Sequence, residues 1–166
     1  MLELEFSRRV FLAWLAAQEH AHRATATGEK GGFVYFSKEE AAEVEAVAAL
    51  IIPSDETPGA REAGVVYFID QALAGFDRDQ QAVYREGLKK LGGTFAKLAG
   101  EQQETVLRSI EKTPFFEQIW KHTLMGMFAN SEYGGNRGNA GWKLIGFEDS
   151  FEFKAPFGHY DREISK

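Results

Sequence analysis

The feature that most constrains the fold is a glycine- and asparagine-rich stretch bounded by two large aromatic residues, Tyr133 and Trp142. Four glycines and two asparagines occur in these ten residues. Glycine carries the largest backbone entropy cost in a helix and asparagine hydrogen-bonds its own backbone in turns, so this composition predicts a shaped loop. Tyr133, Trp142 and the following Phe147 have large surfaces that favour burial. We therefore expect the loop to be fixed at both ends and to let another backbone approach closely.

Capping residues and helix breakers divide the chain ahead of this loop into short helices. Ser37 and Glu40 have the spacing of a capping box, and Pro53 stops the helix that begins there. The apolar residues of this helix recur at helical spacing on one face. We therefore expect Glu39 and Glu43 to lie on the opposite, solvated face.

Similar signals predict the helices that follow. Thr57 and Pro58 suit the N-cap and the first position of a helix, which would then contain Gly64 at a close helix approach. Asp77 and Gln80 have the spacing of a further capped helix start. Each of these pairs therefore predicts the beginning of a helix.

The last predicted helix is apolar on more than one side. Pro114 fits its first position after Thr113, and a short helix near residue 95 and another from Gly100 precede it. Large apolar side chains then occur around the helix: Phe115, Phe116, Ile119, Trp120, Leu124, Met127 and Phe128. Core packing explains the apolar side chains on one side of the helix. The remaining ones form the kind of surface that a permanent partner covers. His122 in this helix is interpreted as a satisfied or interfacial histidine rather than a base.

These elements predict an all-α fold, a compact bundle of about five to six helices followed by a long irregular loop and tail rich in glycine and aromatic residues. Residues 37–149 form the helical domain. Residues 1–36 precede it as an N-terminal helix and linker, and residues 150–166 follow it as an extended aromatic tail. A chain of 166 residues with 44% hydrophobic content can build one domain with a core.

Composition excludes several classes of function. The formal net charge of −6 gives no basic footprint for nucleic acid, and no apolar run reaches the length of about 20 residues that spans a membrane. The chain has no cysteine, and its four histidines match none of the usual metal-site spacings. No glycine-rich dinucleotide motif follows a strand. We therefore predict no catalytic, cofactor-binding or metal-binding residues in this chain.

The N-terminal segment allows two interpretations. Arg8 and Arg9, followed by the apolar Phe11 and Leu12, resemble a twin-arginine export signal. Polar residues return at Gln18, however, where a signal peptide would stay hydrophobic, and the segment also fits an amphipathic first helix. The first interpretation predicts a periplasmic protein, and the second leaves a cytoplasmic location open.

The C-terminal tail is rich in aromatic residues but has no helical period. Phe151, Phe153 and Phe157 lie on either side of Pro156. Disordered segments are usually poor in aromatic residues. We therefore expect an extended tail that lies across the domain or packs on a partner.

Taken together, the motifs resemble the gluconate 2-dehydrogenase subunit 3 family. The resemblance rests on residues 49–65, which read ALIIPSDETPGAREAGV, on the pair Phe115 and Phe116, and on the YGGN and GWKLIG motifs at residues 133–136 and 141–146. It covers about residues 37–149. The two longer motifs in this order are fairly specific.

The resemblance implies an accessory role in a complex. Members of this family are small subunits of bacterial dehydrogenases whose large subunit binds FAD and is of the glucose-methanol-choline type. That large subunit oxidises a sugar, a sugar acid or a glycoside, and commonly passes electrons to a cytochrome c subunit that holds haem c. The small subunit often carries a twin-arginine signal and escorts the large one to the periplasm, where partner subunits can attach the complex to the membrane.

On this hypothesis the loop and the tail form the docking surface for the large subunit. The expected partner-binding residues are Tyr133, Gly134, Gly135, Asn136, Arg137, Trp142, Phe147, Phe151, Phe153 and Phe157. Arg137 is the candidate anchor, because interfaces favour arginine and aromatic side chains. Two competing hypotheses are a free-standing carbohydrate-binding domain and a sugar-acting enzyme that uses Asp55 or Glu56 with His122.

Overall fold

The computed structural model describes residues 32–149 of the chain. Within this range there are six α-helices and no strands: α1 (Lys38–Ile51), α2 (Val65–Ala74), α3 (Gln81–Leu91), α4 (Gly100–Ile110), α5 (Pro114–Phe128) and α6 (Ala140–Leu144). Four single 3-10 turns lie between them: Arg78–Gln80, Phe95–Lys97, Ser131–Tyr133 and Arg137–Asn139. The predicted all-α class and the predicted number of helices are confirmed.

Helices α1, α2 and α5 form the centre of the bundle. Helix α5 packs on α2, while α1 contacts both of them and α3 lies against α5. Their facing side chains are buried, among them Val44, Val47, Val65, Ile69, Ile119 and Met127. Gly126 lets α2 and α5 approach closely, since a Cβ atom at this position would lie 3.1 Å from the Phe68 Cβ. Removal of this apolar surface from water is the main force that holds the bundle together.

Two buried carboxylates fasten irregular backbone to the helices. Asp70 on α2 accepts hydrogen bonds from the amides of Val34, Tyr35 and Phe36, at 2.7, 2.9 and 2.9 Å. This contact holds the segment before α1 against α2. The carboxylate takes the place of water for these three amides, which lie outside the helices and have no helical acceptor.

The second buried carboxylate is Glu43, which is only 5% exposed. It accepts hydrogen bonds from the amides of Phe95 and Ala96, at 3.1 and 3.2 Å. These amides open the 3-10 turn after α3, where the backbone has no helical acceptor of its own. The prediction of a solvated Glu43 is therefore wrong, because a distant part of the chain needs its oxygens.

Helix α2 begins later than the sequence predicts. Gly64 has a left-handed backbone with φ of 66° and immediately precedes the helix, so it lies outside α2. The hydroxyl and the amide of Thr57 donate to the Asp55 carboxylate, at 3.0 and 2.9 Å. Thr57 therefore stabilises the loop after α1 and does not cap a helix, and the residues up to Gly64 form turns.

The other predicted helix starts divide into two outcomes. Ser37 and Glu40 form the expected capping box. Thr113 accepts a hydrogen bond from the Phe116 amide at 3.3 Å and starts α5 as expected. Asp77, in contrast, makes no capping bond, and the chain passes through a 3-10 turn before α3. Its carboxylate instead contacts His122 on α5.

Candidate functional site

The loop after α5 folds back over the last turn of that helix. The Asn136 amide donates to the Gly126 carbonyl at 2.7 Å. A Cβ atom at Gly135 would overlap this carbonyl oxygen, and one at Gly141 would overlap the carbonyl oxygen of Met127. The expected close approach of two backbones is therefore present, and the approaching backbone is α5 of the same chain.

Asn136 joins the parts of the loop. Its side chain is fully buried, its Nδ2 donates to the Ala129 carbonyl at 2.9 Å, and its Oδ1 accepts from the Gly141 amide at 2.9 Å. Its φ of 44° lies in the left-handed region, which asparagine tolerates better than most residues. The polar atoms of Asn136 therefore serve the chain's own fold, and Gly135 is buried beside it.

Trp142 closes the loop on the outer side of α5. It lies in the short helix α6, which occupies part of the segment predicted to be irregular; the prediction that the segment is loop throughout is therefore wrong. The Gly141 amide at the start of this short helix donates to the Asn136 side chain. Because this donor has no partner within the helix, the bond helps a glycine-rich sequence to form a helical turn. The Trp142 Nε1 donates to the Phe128 carbonyl at 2.7 Å, so α6 is attached to the end of α5.

Three apolar side chains after Trp142 face the solvent. Ile145 and Phe147 are 60% and 51% exposed, and Leu144 is exposed as well. The Phe147 ring packs edge-on against Trp142, with 5.1 Å between the ring centroids. The end of the described chain therefore presents an apolar surface, and Trp142 attaches it to α5.

This surface continues along α5. Phe116, Trp120, Leu124 and Phe128 recur every four residues and therefore lie one above another on the helix. We call these four residues the apolar strip. Trp120 is 45% exposed and the other three are partly buried. The helix is thus apolar on its core side and on its outer side, as the sequence predicts.

Two shallow depressions lie at the start of the strip. One, of about 380 Å³, is lined by Glu117, Phe116 and Trp120, and the other, of about 310 Å³, by Leu50, Leu107 and Phe116. Glu111 contributes to both. The Phe116 ring therefore separates two hollows that a partner's side chains could fill.

Arg137 lies on the other side of the loop. Its amide donates to the Ala63 carbonyl at 3.0 Å, and its guanidinium carbon lies 3.6 Å from the centre of the Tyr67 ring. Its Nε donates to the Gly134 carbonyl at 3.4 Å. The side chain crosses Gly64, where a Cβ atom would come within 2.5 Å of the Arg137 Cδ. This explains the glycine at position 64.

A buried polar cluster connects α3 and α5. His122 is fully buried, its Nδ1 lies 2.9 Å from the Tyr84 hydroxyl, and its Nε2 lies 3.0 Å from an Asp77 oxygen and 2.9 Å from the Gln118 amide nitrogen. Burial, and then the negative charge of Asp77, raise the pKa of Tyr84 well above its usual value. Tyr84 therefore remains protonated, and its hydroxyl can donate to Nδ1 of His122.

The cluster does not resemble an accessible catalytic site. Tyr84 and His122 are both without solvent exposure, and the expected interpretation of His122 as a satisfied histidine is confirmed. Asp55 and Glu56 lie in the exposed loop after α1, and neither bonds to His122. Hydrogen bonds from Thr57, first from its amide and then from its hydroxyl, lower the pKa of Asp55. The acid–base combination of Asp55 or Glu56 with His122 is therefore not assembled.

Residues 32–149 contain neither a metal-type cluster nor a helix that could span a membrane. No cluster of three or more His, Cys, Asp or Glu side chains suited to a metal ion occurs in this range. No helix in the same range has the length and hydropathy needed to cross a membrane.

Several predicted site residues lie outside the described residues. These are Arg8, Arg9, Phe11 and Leu12 of the export signal, and Phe151, Phe153 and Phe157 of the tail. Among the described partner-binding candidates, Arg137 and Phe147 are exposed, and Tyr133, Gly134 and Trp142 are partly buried. The structure also adds a surface that the predicted site did not include, the apolar strip with Leu144 and Ile145. Its signal in the sequence is the four-residue spacing of Phe116, Trp120, Leu124 and Phe128.

Fold and surface together define a small all-α domain with satisfied internal polar groups and an apolar strip along one helix, in which Trp120 is exposed and the other three side chains are partly buried. Within residues 32–149, no buried side-chain nitrogen or oxygen lacks a hydrogen-bond partner. Comparison with family models assigns this domain to a family. The model described as Gluconate 2-dehydrogenase subunit 3 matches residues 38–149, more than half of the chain. The chain therefore belongs to this family, and the resemblance drawn from its motifs is confirmed. Neither the curated proteins nor the solved structures contain a significant match.

Proposed function

We propose that this chain is the non-catalytic small subunit of a dehydrogenase complex, docked on a large FAD-dependent subunit of the glucose-methanol-choline type. The large subunit would oxidise a sugar, a sugar acid or a glycoside. FAD, and haem c where a cytochrome c subunit is present, would belong to the partner subunits. Family membership supports this proposal, because the family is defined by a dehydrogenase subunit.

The observation that carries the proposal is the apolar strip and its continuation through Trp142 to Ile145 and Phe147. A soluble domain rarely exposes large apolar side chains in a contiguous row unless something covers them. Permanent interfaces are apolar at their centre and commonly bury on the order of 2,000 Å² or more. The strip has the composition of such a centre, and side chains of a partner could fill the hollows beside Phe116.

Docking of this kind would stabilise the large subunit. A partner that binds only the folded state shifts the folding equilibrium towards that state by mass action. The small subunit would thus maintain a flavoprotein in its folded form without taking part in its chemistry. If residues 8–12 act as a twin-arginine signal, the same contact would carry the folded large subunit to the periplasm.

The docking proposal is tested with Trp120→Ser. The full chain is co-expressed with a candidate large subunit, an FAD-dependent dehydrogenase of the glucose-methanol-choline type from the same genome, and the amount of large subunit that co-purifies is measured. We expect Trp120→Ser to reduce co-purification at least about tenfold, because aromatic residues at an interface centre contribute most of its energy.

The matched control for this experiment is Phe76→Ser. Phe76 is 43% exposed, close to the 45% of Trp120, and lies outside the strip. Both isolated variants should unfold near the wild-type temperature, since each replaced side chain is nearly half exposed. Equal co-purification of the wild type and the Trp120→Ser variant would contradict docking through the strip.

The strongest second candidate is carbohydrate binding by the isolated chain. Trp120 borders a hollow that also contains Glu111 and Glu117, and an aromatic face beside carboxylates suits a sugar. Calorimetry on the isolated chain distinguishes the two functions, since only this candidate predicts sugar binding without the large subunit. Sugar turnover by the isolated chain without FAD would instead support an enzyme.

A further inference from the structure

Arg137 is held in place along its whole length. Its backbone is fixed by the bond from its amide to Ala63 and by left-handed residues on both sides, Asn136 with φ of 44° and Gly138 with φ of 62°. A non-glycine residue in this conformation persists only where surrounding contacts compensate for the strain. The four hydrogen bonds of buried Asn136 supply that compensation.

The guanidinium group rests on an aromatic platform. Its carbon lies 3.6 Å from the centre of the Tyr67 ring. Tyr67 in turn stacks with Phe33, with 5.1 Å between the centroids and 20° between the planes. The platform orients the plane of the guanidinium group, and the glycine at position 64 leaves room for the side chain that reaches it.

The charge of Arg137 has no counter-ion among residues 32–149. Arg61, Lys90, Arg108 and Lys121 each form an ion pair with a glutamate in this range, but no carboxylate lies within 4.0 Å of Arg137. Of its three guanidinium nitrogens, only Nε makes a hydrogen bond within this range, a long one of 3.4 Å to the Gly134 carbonyl. In a chain of net charge −6, an exposed and pre-oriented cation is thus left with its outer donors available.

We propose that Arg137 binds a carboxylate side chain of the large dehydrogenase subunit. The planar fork of arginine donors matches the two oxygens of a carboxylate, and the pair is strongest when it is bidentate. Because stacking on Tyr67 has already restricted the side chain, binding loses little rotamer entropy. This inference rests on the proposed function, and it adds a charged contact to the apolar docking surface.

The test is the dissociation constant of the reconstituted complex at low and at high salt. Arg137→Gln should weaken binding at least about 30-fold, as expected when one member of a desolvated charge pair is removed. Its salt dependence should also be smaller than that of the wild type, because one ion pair is missing. The dissociation constant of Arg137→Lys should fall between those of the wild type and Arg137→Gln, since lysine keeps the charge but lacks the planar fork of donors.

Arg85→Gln is the matched control. Arg85 is an exposed arginine on α3 with no ion pair in the described part of the chain, and its removal should leave the dissociation constant unchanged. The melting temperature of each isolated variant shows whether loss of the contact between Arg137 and Tyr67 destabilises the domain. A lower melting temperature of Arg137→Gln with unchanged affinity and salt dependence would overturn the inference and leave Arg137 a packing residue. Failure of the wild-type chain to bind the large subunit would instead overturn the proposed function.

Discussion

At the scale of single residues, buried polar side chains determine how the helices and loops of this domain meet. Asn136 binds the end of α5 and the start of α6, Asp70 binds the segment before α1, and Glu43 binds the turn after α3. Each one satisfies backbone groups that would otherwise be buried without a partner. Such groups are costly to leave open, so these residues fix loop positions that apolar packing alone would not.

The Tyr84 hydroxyl gives the domain a sensitivity to alkaline pH. Its pKa is raised above the ordinary value of 10.0 in the folded state. In the unfolded chain it loses its proton near pH 10, while the folded state still holds the proton, so stability falls as pH rises above that value. Tyr84→Phe removes this contribution.

We therefore expect Tyr84→Phe to be less stable than the wild type at pH 8, by about 1 to 3 kcal/mol, because Nδ1 of His122 loses its donor. The difference in unfolding free energy between the two proteins should become smaller towards pH 11. Urea unfolding at several pH values measures both effects. A gap between the two proteins that stays constant from pH 8 to 11 would contradict the proposed effect of Tyr84.

At the scale of elements, the domain depends on how the loop after α5 sits on that helix. Gly135 and Gly141 let the loop backbone touch the last turn of α5, and Trp142 then satisfies one of the open carbonyls of that turn. The same contact positions Leu144, Ile145 and Phe147 next to the end of the apolar strip. The proposed docking surface therefore requires an intact loop.

Gly135→Ala should destabilise the isolated domain by about 2 kcal/mol or more, because the added methyl group overlaps the Gly126 carbonyl and the backbones must separate. Gly100→Ala is a control, since nothing lies within 4 Å of a Cβ atom there and its backbone is not left-handed. Thermal unfolding monitored by circular dichroism compares the two. A Gly135→Ala domain as stable as the wild type would show that the loop does not pack on α5 in this way.

The sequence predicted those elements whose signals are local. Ser37 with Glu40, and Thr113 with Pro114, act within one turn of helix, and both start helices as expected. Thr57 and Asp77 carry similar signals, yet the Thr57 side chain binds Asp55 within the same loop, and the Asp77 side chain binds His122 on α5. Glu43 was misplaced because, as for Asp77, its partners are distant in the chain, here more than 50 residues away.

The candidate site was predictable only in part. The glycines and asparagines of residues 134–141 indicated a shaped loop with a close backbone approach, but composition could not identify α5 as the backbone that approaches. The surplus of aromatic residues on α5 was visible in the sequence, whereas the partly exposed row from Phe116 to Phe128 could be recognised only once the packing of the other side of α5 was known. Nothing in the sequence linked Arg137 with Tyr67, since that contact depends on two left-handed residues beside Arg137.

At the scale of the whole molecule, residues 32–149 form a packed bundle that leaves part of its apolar surface uncovered. Core residues of α1, α2 and α5 are buried and the polar cluster around His122 is closed to solvent. Trp120 of the apolar strip and the side chains of Leu144, Ile145 and Phe147 are exposed. In a family of dehydrogenase subunits, this division favours binding over chemistry.

The most direct test of this account is the mass and the flavin content of the particle that the full chain forms. The chain is co-expressed with the candidate FAD-dependent large subunit and purified through a tag on the small chain. The particle is then measured by light scattering and flavin absorbance. We expect one species that contains both polypeptides and carries FAD, and a large subunit that precipitates when it is expressed alone. A tagged chain that elutes by itself without flavin, beside a large subunit that is soluble and active in its absence, would contradict the account.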